Sequence, residues 1–149
     1  MTLKMKIRNF YNQCISLKGE PTTIALGLAI GVFVGVTPTI PFHSAIIVMI
    51  GFLFRQNITA AYLGSWIISN PLTIPFLYLS QYELGHILLG IAPYEFCFTD
   101  YSFVGIAALG RRTLLPLLTG GFIMAPLFAV PAYFISHRLI VAGRAKRRS

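Results

Sequence analysis

The chain has 149 residues, of which 56% are hydrophobic and 11% charged, with 12 Lys and Arg against 4 Asp and Glu for a formal net charge of +8. A soluble domain carries about 25% charged residues, so water cannot cover this surface, and the length allows one domain. Composition therefore excludes an ordinary soluble enzyme, and an anionic membrane leaflet accounts for the positive balance better than nucleic acid does.

The first element is a basic leader, residues 1–20. Leu3, Ile7, Phe10, Cys14 and Leu17 alternate at steps of four and three, so on a helix they form one stripe with Lys4, Lys6, Arg8 and Lys18 mostly off it. No uninterrupted apolar run or small-residue cleavage site follows, so the leader is expected to stay on the chain. Two readings of the stripe stand: a helix lying on an anionic membrane surface, or one packed on the protein's own bundle. Cys14 and Cys97 lie far apart with no metal-ligand spacing, so neither a disulfide nor a metal is expected.

Residues 21–136 read as a membrane domain. From Pro21 to Phe54 there is no Lys, Arg, Asp or Glu; there is none from Gln56 to Tyr82, and none from Thr113 to Ser136. Each stretch reaches the roughly 20 apolar residues that cross about 30 Å of hydrocarbon. The first would be about 50 Å long as one helix, but Thr37-Pro38-Thr39-Ile40-Pro41 interrupts it, and proline removes donors and blocks helical continuation. It should divide into short helices around residues 22–36 and 42–54, a re-entrant hairpin. Gly27, Gly31 and Gly35 bare one side of the first half, where another helix should pack, from this chain or from a second copy in a homo-oligomer. Residues 58–82 would then cross outward, 83–102 form an outer acidic loop with Glu83, Glu95 and Asp100, and 113–136 cross back to a basic tail, 137–149.

Basic residues crowd both ends of the chain, which places both termini in the cytoplasm. The fold expected is an all-α membrane protein, a small bundle with a Pro-broken re-entrant helical hairpin plus two or more transmembrane helices. Arg111 and Arg112 run against this scheme, since they fall at the outer end of the last crossing. Either they pair with the acidic residues or snorkel to headgroups, or they bind an anion.

Thr39-Ile40-Pro41-Phe42 recurs as Thr73-Ile74-Pro75-Phe76, and each copy closely follows another proline, Pro38 or Pro71. Irregular backbone at membrane depth survives only when buried in protein or lining a wet cavity, and paired interrupted segments point to a transporter-type site. The two breaks, residues 37–43 and 70–75, are expected to meet in a polar pocket. Candidate ligand residues are Pro38, Thr39, His43, Asn70 and Thr73 at the breaks, together with the cations Arg55, Arg111 and Arg112. Paired carboxylates in the apolar stretches, nucleophile elbows, zinc-binding helices and phosphate loops are all missing from the sequence. The chain reads as no enzyme, with no cofactor and no metal.

The runs IALGLAIGVFVGVTPTIPFHS (Ile24 to Ser44), FRQN (Phe54 to Asn57), AAYLGSWIISNPLTIP (Ala60 to Pro75) and YELG (Tyr82 to Gly85) resemble the prokaryotic membrane family catalogued as domain of unknown function 2062. The resemblance covers roughly residues 10–90. The family pattern often has Gly between the threonine-proline and the aromatic-His pair, where this chain has Ile40-Pro41. Membership implies location in the bacterial cytoplasmic (inner) membrane and, in some relatives, fusion to glycosyltransferase-like domains, hence a partner of that type. It implies no established activity.

Two functions from different classes follow. In the first, the protein binds or transports a small amphiphile or anion, such as an isoprenoid- or glycolipid-linked phosphate, at half-helix N-termini whose free N–H groups suit an anionic headgroup. In the second, it is a non-catalytic scaffold or assembly partner among membrane lipids, and the breaks only shape the bundle.

Overall fold

The computed structural model describes residues 3–38, 42–70, 72–92 and 103–148. Six helices and no strand make up the described residues: α1 (Leu3–Ser16), α2 (Pro21–Val36), α3 (His43–Leu53), α4 (Ile58–Ile68), α5 (Ile74–Leu89) and α6 (Phe103–Arg148). Local chemistry sets several of the ends. Pro21 opens α2 at a position where its missing N–H costs nothing. Thr37 closes it in an extended conformation, as a residue before proline prefers. The Asn57 side chain accepts the Ala60 N–H at 3.0 Å and so caps α4. Gly90, at φ 61, ends α5 in the left-handed conformation that favours glycine.

Helix α2 is the centre of the bundle, packed against α3, α4 and α6. Its glycine face meets α4, and the two helices run in the same direction: Gly27 lies on Asn57 and Ala60, Gly31 on Ala61 and Ser65, Gly35 on Ser65 and Ile68. Gly64 of α4 answers by packing on the backbone of Leu28. Small residues on both helices bring the backbones together, which is how helices associate when the surroundings are as apolar as their side chains. The glycine face is thus covered from within the chain.

Helix α6 runs antiparallel to α2. Ile140 packs with Ile24 and Leu28 near the start of α2, Ala125 with Val32 and Val36 near its end, and Gly121 meets the Pro38 ring beyond it. Past that level α6 continues along α5, where Gly120 faces the Gln81 backbone and Gly85 faces that of Pro116.

One open reading is narrowed and two boundaries differ from the sequence expectation. The leader is docked: Cys14, with Phe10 and Leu17 beside it, joins the cluster around Ile140. Arg144 donates to the Gly19 carbonyl at 2.7 Å and to that of Leu17 at 2.6 Å. This part of the stripe faces protein and is not left for a membrane surface. Next, α5 runs through Leu89, so Glu83 stands on a helix; Glu95, Cys97 and Asp100 lie outside the described residues. Finally, the stretch 113–136 is the middle of a 46-residue helix that takes in Arg111, Arg112 and most of the basic tail. Pro116, Pro126 and Pro131 sit inside it without ending it. They are ten and five residues apart, so each lost hydrogen bond is flanked by intact ones, whereas Pro38 and Pro41 remove two donors from a single turn.

The outer surface is apolar. Phe52 is 84% exposed and Trp66 74%, and Phe42, Leu72, Phe76 and Ile87 are exposed as well. Among the described residues one helical stretch, Gly110–Lys146, is long and apolar enough to cross a membrane, and only 22% of its most apolar window is buried. Helices α2, α3 and α4 are apolar but shorter.

Candidate functional site

Both breaks lie at the same end of the bundle, where α2 and α4 stop and α3 and α5 begin. The last turn of a helix leaves carbonyls without intrahelical donors, and in α2 Pro38 brings no N–H to help. Other groups take their place. The Phe33 carbonyl accepts from the Thr37 N–H at 3.1 Å and from the Thr37 hydroxyl at 2.8 Å. The Gly35 carbonyl accepts from the Ser69 hydroxyl at 3.5 Å, and the Val36 carbonyl from the Gln81 side-chain amide at 2.6 Å. The end of α4 and the middle of α5, on either side of the second break, thus supply donors to the first.

His43, the first residue of α3, is hydrogen-bonded through Nε2 to the hydroxyl of Ser65 on α4. In the second break, the Thr73 hydroxyl lies 3.1 Å from the Asn70 carbonyl and also within reach of the Ile68 carbonyl. The Asn70 carbonyl collects the N–H groups of Thr73 and Ile74 at 2.9 and 3.0 Å. Neither Phe42 nor Thr73, the N-cap residues of α3 and α5, caps its helix with a side chain. The two N-termini therefore keep positive ends. Asn70 is exposed.

The expected site residues are thus distributed unevenly. Pro38, His43, Asn70 and Thr73 gather at the break end; Thr39 lies outside the described residues. Arg55, with φ 51, is in the α3–α4 turn at the opposite end, beside the start of α2. Arg111 and Arg112 are exposed on α6, about 14 Å along its axis from Gly121, at 1.5 Å per residue. None of the three arginines joins the breaks. Sequence reasoning passed over Ser65, Ser69 and Gln81. Gln81 is fully buried, and while its nitrogen serves Val36, its Oε1 has no hydrogen-bond partner. The one amide side chain within the apolar helix α5 was the available signal, since polar side chains in apolar helices tend to bridge to a neighbour.

Comparison with protein families gives a match over residues 4–149. The chain belongs to the family described as "Uncharacterized protein conserved in bacteria (DUF2062)". In this DUF2062 chain, the segments that resembled the family form α2 with its break, the α3–α4 turn, α4 with its break, and the middle of α5. The match also takes in α1 and α6, beyond residues 10–90. No curated protein and no solved structure matches the chain.

Proposed function

We propose that this protein is a multi-pass integral protein of the bacterial cytoplasmic membrane that binds, and moves or shields, a small amphiphile with an anionic head. An isoprenoid- or glycolipid-linked phosphate fits that description. In this reading both termini are cytoplasmic, α2 and α3 form a hairpin that enters and leaves by one face, and no step is catalytic. The membrane placement draws on the exposed apolar surface and on Gly110–Lys146, whose apolar window is too little buried for a soluble core helix.

The observation that carries the ligand reading is that α3 and α5, neither with a side-chain cap, both start at the end of the bundle where Asn70 is exposed. The positive dipole ends of the two helices favour an anion there. The test is Asn70→Asp in the full chain. Asn70 is exposed and its bonds to Thr73 and Ile74 run through its backbone, so the fold should persist while the new charge repels an anionic head. Mass spectrometry of lipids retained in mild detergent should show an anionic amphiphile with the parent and its loss with the variant. Equal retention by both would remove this reading.

A scaffold role is the second reading, and a specific observation favours it. Thr37, His43, Ser69 and Gln81 already direct polar atoms at protein partners, closing the breaks from within. Equal lipid retention in the Asn70 test, with recovery of the chain in a defined complex, would support it; a glycosyltransferase-type protein is the partner the resemblance implies.

A further inference from the structure

We propose that the broken end of α2 and the side chain of Gln81 form a binding site for a monovalent cation. The orientation of the amide starts the case. Gln81 Nε2 lies 2.6 Å from the Val36 carbonyl, and a carbonyl only accepts, so the nitrogen must occupy that side. The oxygen Oε1 is thereby turned toward α6, where it would lie 3.4 Å from a Cβ built on Gly121. It is buried and unpartnered, on a residue with no exposed surface. A buried acceptor without a donor leaves its desolvation uncompensated.

The surroundings add negative potential. Val36 ends a 16-residue helix, and the C-terminal carbonyls of a helix carry the equivalent of about half a negative charge. No Lys or Arg occurs in residues 21–54, 56–82 or 113–136, the stretches that meet here, so the chain supplies no cation of its own to this place. At these two oxygens, as distinct from the starts of α3 and α5, an anion is disfavoured and a positive ligand favoured. The same stretches contain no Asp or Glu. Calcium and magnesium sites are built on carboxylates, whereas neutral carbonyl oxygens hold alkali cations. Unwound backbone carbonyls and half-helix C-termini serve Na⁺ in discontinuous membrane helices. The ligands named here are Gln81 Oε1 and the remaining lone pair of the Val36 carbonyl.

This proposal uses the membrane placement, where low dielectric strengthens ion–dipole attraction, but not the anionic amphiphile. The purified full chain would be melted in mild detergent in NaCl, KCl and choline chloride at equal ionic strength. Na⁺ or K⁺ should raise the midpoint over choline by several degrees, in a saturable way. Gln81→Leu should abolish that difference, and Gln81→Glu, which adds a carboxylate, should enlarge it. Equal melting in all three salts, as a water molecule alone at Oε1 would produce, overturns the proposal, as does an undiminished shift in Gln81→Leu. Should Gln81→Leu fail to fold, calorimetric titration of the parent with NaCl and KCl in a choline background decides: saturable heat upholds the site and none overturns it. Lipid retention reads the amphiphile separately, so failure of one reading is distinguishable from failure of the other.

Discussion

Substitution of Gly31 probes the contact on which the bundle depends most. A Cβ placed there would stand 2.7 Å from the Ala61 carbonyl carbon and 2.8 Å from the Ser65 nitrogen, and closer still to the Ala61 oxygen. All three atoms are backbone and cannot swing aside, so α2 and α4 must separate. Moving the carbonyl carbon alone from 2.7 Å to the 3.4 Å at which ordinary contact begins takes about 0.7 Å, and clearing the Ala61 oxygen takes more. That shift loosens the Gly27 and Gly64 approaches on the same seam. Overpacking of this kind costs about 1–3 kcal/mol, which in a chain of this size lowers the midpoint by about 2–12 °C at roughly 2–4 °C per kcal/mol. Gly31→Ala should fall within that range and Gly31→Leu at its upper end or beyond. Gly110→Ala is the matched control: its Cβ meets nothing within 4 Å, and Ala is the better helix former by about 1 kcal/mol. Thermal denaturation in mild detergent, followed by size-exclusion of the surviving monodisperse fraction, measures all three. If Gly31→Leu melts with the parent, α2 and α4 are not held by backbone contact and this account of the bundle is wrong.

Arg144→Ala removes both hydrogen bonds that tie the end of α1 to α6 and should undock the leader; faster maleimide labelling of the otherwise buried Cys14 would report it, and an unchanged rate would count against the tie. Burial pushes the Cys14 thiol up from 9.0 to about 11, so the folded protein holds this proton more tightly than the unfolded chain does. Its stabilising contribution is full below about pH 9 and is lost as pH rises through about 11, so parent stability should decline over that window more steeply than that of Cys14→Ala, and parallel curves would refute it. For topology, Cys97 in a Cys14→Ser background should react with an impermeant thiol reagent in intact cells with permeabilised outer membranes. Protection of Cys97 would weigh against an outward loop and cytoplasmic termini.

Much of the helical plan was legible because it depends on short-range chemistry. The break after α2 follows from Thr37-Pro38 with Pro41 close behind, and the glycine seam from Gly27, Gly31 and Gly35 at every fourth position. Boundaries that depend on packing were not legible. Glu83 reads as part of an acidic loop, yet Gly85 and Gln81 dock α5 on α6 and carry the helix on to Leu89. The α6 prolines look like the residues that break α2, and nothing local declares that isolated ones would be absorbed.

The candidate site divides in the same way. Proline and asparagine mark where helices stop, so Pro38, Asn70 and Thr73 could be chosen by inspection, while the three arginines were chosen for charge alone. Their distance from the breaks depends on which ends of α3 and α6 meet which end of α2. What the sequence by itself determined is the local part: where the chain is apolar, where it bends, and which helix face is bare enough for close approach. Only the tertiary structure decided that α4 fills that face and runs parallel to α2, that α1 docks on α6, and that Gln81 reaches the end of a helix 45 residues earlier in the chain. The physical reason is that proline, glycine and capping act within a turn or two. The partner of a buried amide is set by which helices can bring their backbones together, and that depends on the whole bundle at once.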